Sequence, residues 1–148
     1  MTGAGHPLDG RRENTMRSDG ADRITEVADR LFAAIEGGDV AAVARMWADD
    51  IAVWQSGDPH DRDKERALRV IDWFISGTVE RRYEVLDRQV FDDGFVQQHI
   101  LLARGRTGAS IALRVCLVVR IGADGLINRI DEYFDPAGIA PLLAAQDG

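Results

Sequence analysis

The sequence predicts an α+β domain, on three observations. Apolar residues recur at helical spacing over residues 22–76, whereas two-residue alternation dominates residues 79–134. The two patterns follow one another rather than interleave, which argues for helices packed on one face of an antiparallel sheet. No Gly-x-Gly-x-x-Gly follows a strand, so a parallel dinucleotide-binding sheet is a poor reading.

The elements follow in order. Residues 1–21 are Gly-rich, polar and aperiodic, and read as a disordered tail, with Met16 an alternative start. The folded domain is read as 22–148. Ile24, Val27, Ala28, Leu31, Phe32 and Ile35 make the stripe of a first helix that Gly37-Gly38 ends. Asp39 can cap a second helix carrying Val40, Val43 and Met46-Trp47. A short strand follows around Ile51, Val53 and Trp54, and Gly57-Asp58-Pro59 turns the chain. A third helix, 63–76, presents Leu68, Ile71, Phe74 and Ile75. Strands are then expected over 79–91, 95–103, 110–121 and 126–134. Asp92-Asp93-Gly94 and Gly122-Ala123-Asp124-Gly125 are hairpin signals between them. Asp135-Pro136 opens a short C-terminal helix with Ile139, Leu142 and Leu143.

Charge narrows the partners. The chain of 148 residues has 18 basic and 25 acidic side chains, a formal net charge of −7. An acidic surface repels phosphate backbones and anionic membranes, so neither nucleic acid nor membrane is an expected partner. Hydrophobic residues make up 45% of the chain, enough for a real core. The longest apolar stretch, around 111–121, is interrupted by Arg114 and Arg120, and residues 1–21 contain no secretory apolar run. A single cysteine, Cys116, allows neither an internal disulfide nor a cysteine metal cluster. The expectation is a soluble, cytoplasmic, single-domain protein.

Three motifs occur in a familiar order. Gly38-Asp39 separates the first helices, Met46-Trp47-Ala48-Asp49-Asp50 leads into the first strand, and Gly125-x-Ile127-x-x-x-x-Glu132-Tyr133-Phe134-Asp135 closes the sheet. In these the chain resembles the nuclear transport factor 2-like superfamily, over about residues 24–143. Within it the SnoaL-like group is most similar, near polyketide cyclases, ketosteroid isomerases and limonene-epoxide hydrolases. The resemblance implies a curved antiparallel sheet wrapped into a cone, three N-terminal helices on its concave face, an apolar pocket and a homodimer. Strand parity then assigns faces. Leu113, Val115, Leu117 and Val119 should face the pocket, as should Ile130, Glu132 and Phe134. Arg114, Cys116, Val118 and Arg120 should face outward.

Glu132 is the leading candidate catalytic residue. Among apolar neighbours a carboxyl is raised toward neutrality and suited to proton transfer. Its position also resembles that of a catalytic carboxylate of the epoxide hydrolases; the competing reading is a solvated or structurally paired acid. His99 is the second catalytic candidate, on one strand face with Phe95 and Gln97. It stands where those hydrolases carry an arginine, and Leu101 stands where they carry a second acid. Their water-activating triad is therefore absent, and a Glu132–His99 pair, Glu132 orienting the imidazole, is the substitute considered. A hydrogen-bonded, half-buried histidine is the alternative. The ketosteroid isomerase residues fall on Gln55, Leu31 and Leu117, which leaves an enolate without base or oxyanion donors.

Trp54 and Gln55, at the end of the first strand, are candidates to hold a substrate polar group; Trp54 is otherwise core. With Leu31, Leu101, Val115, Leu117 and Phe134 they make the expected substrate-binding set. Trp73 and Phe74 read as core or pocket wall. Asp58-Pro59-His60-Asp61 lacks a further ligand at a recognisable spacing, so no metal is expected. Cys116 reads as a packed thiol, and Glu80-Arg81-Arg82 with Glu84, Asp87 and Arg88 as a solvated strand face. Asp131 should point away from Glu132 into a salt contact. Two functions remain open: a cofactor-independent acid–base enzyme on an apolar terpenoid, polyketide or steroid-like molecule, or a non-catalytic ligand-binding or dimeric interaction module. A Glu132 and a His99 sharing one enclosed cavity would favour the first.

Overall fold

The computed structural model describes the backbone of residues 7–146 and the side chains of residues 19–143. In chain order the elements are α1 (Pro7–Glu36), α2 (Val40–Met46), β1 (Trp47–Gln55), α3 (Lys64–Gly77), β2 (Thr78–Phe91), β3 (Gly94–Gly105), β4 (Ser110–Ile121) and β5 (Ile127–Tyr133). A 3₁₀ turn, Pro136–Ile139, and α4 (Ala140–Gln146) complete them. The architecture is α+β, a curved and unclosed sheet with three N-terminal helices and a short C-terminal one. Among the described residues no helix is long and apolar enough to cross a membrane.

Local chemistry accounts for the helix boundaries. The Asp39 and Asp63 carboxylates accept the backbone N–H groups of Ala42 and Arg66, 3.0 Å each, which caps α2 and α3. Gly38 leaves α1 at φ +73°, a conformation that costs glycine nothing. The first helix begins at Pro7, earlier than the Asp22 expected from apolar spacing. Good helix formers such as Arg11, Arg12, Glu13 and Met16 extend it without an apolar stripe. Residues 1–6, and the side chains before residue 19, lie outside the described residues, and so does the tail reading that falls on them.

The sheet runs β1-β5-β4-β3-β2. Three antiparallel pairings make the expected meander. The remaining pairing is a correction to an all-antiparallel sheet: β1 lies parallel to β5, with Gln55 opposite Glu132. Hairpin signals set neighbours only where strands are consecutive, and β1 is separated from β5 by α3 and the whole meander.

One sheet face is packed against the helices. Phe95, Gln97, His99, Leu101 and Ala103 of β3 alternate into the interior with Ile111, Leu113, Val115, Leu117 and Val119 of β4. Leu31 and Phe32 of α1 and Phe74 of α3 join the same core. The β2 run read as solvated is corrected at two positions. Arg81 is half-buried and donates to the Ile35 and Ile75 carbonyls, closing the C-terminal ends of α1 and α3. Arg88 reaches inward, its guanidinium 5.8 Å from the ring centres of both Phe32 and Phe95. Both side chains lie on the interior side of β2, where a long apolar stem is covered and the head finds acceptors.

Candidate functional site

Glu132 sits near the end of β5 and points to the helix-covered face, in one row with Leu117 of β4 and Gln97 of β3. Its neighbour Asp131 points the opposite way, into an ion pair with Arg129 at 2.8 Å. Burial drives the Glu132 carboxyl up to about 7, against a smaller lowering by the Gln55 hydrogen bond. A carboxyl with that midpoint exchanges its proton at neutral pH.

The end of β1 and the loop after it supply the partners of Glu132. The Gln55 Nε2 group donates to Glu132 Oε1 at 2.9 Å. The Asp58 N–H donates to the Gln55 carbonyl, closing a turn in which Gly57 takes φ +94°. The chain then folds back, Arg62 and Val53 exchanging both backbone hydrogen bonds. That return places Arg62 beside Gln55. Its Nη1 donates to Gln55 Oε1 at 2.8 Å and lies 3.0 Å from Asp58 Oδ2, while its Nη2 donates to Asp58 Oδ1 at 3.1 Å. Ser56 fastens the strand ends, its N–H on the Glu132 carbonyl and its Oγ accepting the Phe134 N–H, each 3.0 Å.

His99 belongs to a second polar chain. Its Nδ1 lies 2.9 Å from Gln97 Nε2, and Gln97 Oε1 accepts from Arg88 Nε at 2.7 Å. Arg88 in turn pairs with Asp29 of α1 at 2.7 Å. With its oxygen taken by Arg88, Gln97 must donate to His99, which puts the imidazole proton on Nε2. Burial pulls the imidazole down to about 4, so it is neutral at physiological pH. The rings of Tyr83 and Phe32 pack edge-on against it, centroids 4.9 and 5.6 Å away. Burial also pushes the Tyr83 phenol up, with the charge of Glu132 adding to the effect, which keeps it a hydrogen-bond donor.

The structure therefore brings Gln55 to Glu132 but does not pair Glu132 with His99. The orienting partner of the imidazole is Gln97, a correction to the expected Glu132–His99 contact. His99 faces Val115 in the register while Glu132 faces Leu117, two strands and one pleat apart, on the order of 10 Å. Trp54 is also corrected. Adjacent strand residues point to opposite faces, so Trp54 lies across the sheet from Gln55, packed at a tilt against Tyr133 with ring centroids 5.1 Å apart and its N–H given to the Asp58 carbonyl. Leu31, Leu101, Val115 and Leu117 are packed in the core, and Phe134 is partly buried against it. Among the described residues, the cavity at Glu132 holds about 40 Å³ between Trp47, Gln55, Arg62, Ile71 and Ile130. That is space for a few water molecules, less than a deep apolar cone. Trp47 keeps its indole N–H buried without a partner among the described residues. Asp58 and Asp61 are engaged by Arg62 and Arg129.

Sequence reasoning missed Arg62, Asp58, Gln97 and Tyr83. Gln97 and Tyr83 were accessible through strand parity alone. Arg62 carried no signal, and Asp58 only that of a ligand-poor Asp58-Pro59-His60-Asp61 run, because a charged residue in a Pro-containing loop reads as solvated.

A family model described as SnoaL-like domain matches residues 28–130. The chain belongs to the SnoaL-like domain family. The SnoaL-like domain lies in the nuclear transport factor 2-like superfamily, and solved structures share its fold. PrhC from Penicillium brasilianum NBRC 6234 superposes with a TM-score of 0.75 at 13% identity, over 86% of this chain and 90% of that one. A limonene-epoxide-hydrolase-like epoxide hydrolase of M. tuberculosis gives 0.68 at 16%, over 86% and 94%. A Δ5-3-ketosteroid isomerase of Mycobacterium sp. gives 0.70 at 17%, over 78% and 95%. No curated protein sequence matches the chain. Glu132 lies two residues beyond the family-matched span, so its role rests on its surroundings in this structure.

Proposed function

We propose that this SnoaL-like domain is a cytoplasmic, cofactor-independent acid–base enzyme acting on an apolar terpenoid, polyketide or steroid-like molecule. One observation carries the reading. Glu132 is an inward carboxyl that burial holds near neutrality, with Gln55 Nε2 donating to one of its oxygens. Glu132 in its ionised form takes a proton from the substrate or from water, and the Gln55 N–H steadies the carboxylate before that transfer. His99, neutral and with its proton on Nε2, serves as a separate donor on the same interior face, as does the Tyr83 phenol. The reaction is of the isomerase, cyclase or hydrolase type. Relatives named as an epoxide hydrolase and a ketosteroid isomerase support that range through fold alone.

The test is turnover of Glu132→Gln on a panel of apolar epoxides and β,γ-unsaturated ketones. Loss of about 10²–10⁴-fold is expected where wild type is active; wild-type turnover in the variant would end the reading. A second reading, a non-catalytic ligand-binding or interaction module, is favoured by the small cavity and by the leucines packed at positions 31, 101 and 117. We also propose a homodimer formed through the outward sheet face.

A further inference from the structure

The side chain of Gln55 lies between Arg62 and Glu132, and an amide can present either end to either neighbour. Arg62 Nη1 occupies Oε1 at 2.8 Å, so Nε2 is the end that meets Glu132 at 2.9 Å. Reversal would set Nε2 against the guanidinium, donor on donor, and Oε1 against the carboxyl. We propose that Arg62 is a positioning residue acting through Gln55: it locks the amide so that Glu132 always meets an N–H and never a carbonyl. Asp58, 3.0 Å from the guanidinium, neutralises it, and Arg62 works as a hydrogen-bond template rather than as a charge. The backbone bridge between Val53 and Arg62 fixes where that template stands.

The other groups around Glu132 do not substitute for this lock. Asp58 opposes ionisation of Glu132 from the same loop, and Tyr83 on β2 feels the charge of Glu132. His99 on β3 is neutral, and α3 contributes the apolar Ala67, Val70 and Ile71. On β5 itself, Arg129 and Asp131 pair with each other on the opposite face. An unlocked amide turning its carbonyl to Glu132 would favour the protonated acid, and the loss of a donor is worth roughly one pH unit.

Any effect of Arg62 on turnover rests on the enzyme reading above; the lock itself does not. The experiment is a titration of the Glu132 carboxyl by ¹³C NMR in the full chain, assigned by its loss in Glu132→Gln. The wild-type midpoint is expected near 7. Arg62→Met should raise it by roughly one pH unit, Arg62→Lys should restore it, and Arg62→Met with Gln55→Leu should shift it no further than Gln55→Leu alone. An unmoved midpoint in Arg62→Met, or additive shifts in the double variant, would overturn the proposal. If Arg62→Met does not fold, the unmutated chain still decides. The Gln55 side-chain N–H resonances should titrate with the Glu132 midpoint, and a flat response would refute the contact. Neither measurement uses substrate, so an unmoved midpoint in Arg62→Met removes the lock alone, whereas undiminished turnover in Glu132→Gln removes the enzyme reading alone.

Discussion

Burial moves Glu132 and His99 in opposite directions, and so links each to stability with an opposite sign. The Glu132 carboxyl rises from 4.5 to about 7. Its contribution to stability is fully present below pH 4.5 and is lost as pH rises through 7. The His99 imidazole falls from 6.5 to about 4. Its contribution is present above pH 6.5 and is lost as pH falls toward 4. Between pH 4.5 and 6.5 the two oppose one another. Glu132→Gln should remove one of them, leaving stability that climbs from pH 4 to 6.5 and exceeds wild type by about 2–3 kcal/mol at pH 8. Urea unfolding across this pH range measures it, and parallel curves for variant and wild type would refute it. At this scale Glu132 was legible because Ile130 and Phe134 flank it at two-residue spacing. Arg62 was not, because its meaning comes from a backbone bridge that brings it back to Gln55.

The strands owe their faces to register, and register in the β2–β3 hairpin depends on Gly94. A Cβ there would lie 1.9 Å from the Val119 carbonyl oxygen and 2.9 Å from the Phe91 ring. Backbone cannot yield as a side-chain tip can, so Gly94→Ala should cost about 3 kcal/mol. A denaturant midpoint within roughly 0.5 kcal/mol of wild type would show that the hairpin absorbs the methyl group. Gly94 opens the strand that turns Gln97 and His99 inward, so the same substitution should disturb their resonances. The meander was readable from its turn chemistry. The parallel partnership of β1 with β5 was not, since no local signal joins strands so far apart in sequence. Nor were the inward arginines of β2, whose run of charges mimics a wet surface.

At the scale of the whole molecule, one sheet face carries no helix among the described residues. Val96, Ile100, Leu102, Cys116 and Val118 lie half-buried on it, and Tyr133 is 49% exposed. A second copy covering this face would bury that apolar area. Light scattering on the eluted protein should give twice 16.3 kDa, and a monomer mass would refute the dimer. Cys116→Arg, which sets a charge in the middle of this face, should dissociate the dimer.

Periodicity and turn residues by themselves determined the α+β class, the order of elements, the meander and the inward face of Glu132, because each is a local consequence of side-chain spacing. Tertiary structure alone decided which polar groups meet. Whether Glu132 finds His99 or Gln55, and whether Trp54 joins them, follows from pairing between strands distant in sequence and from a loop folded back on β1. Such contacts are set by the packing of the whole sheet, and no local pattern encodes them.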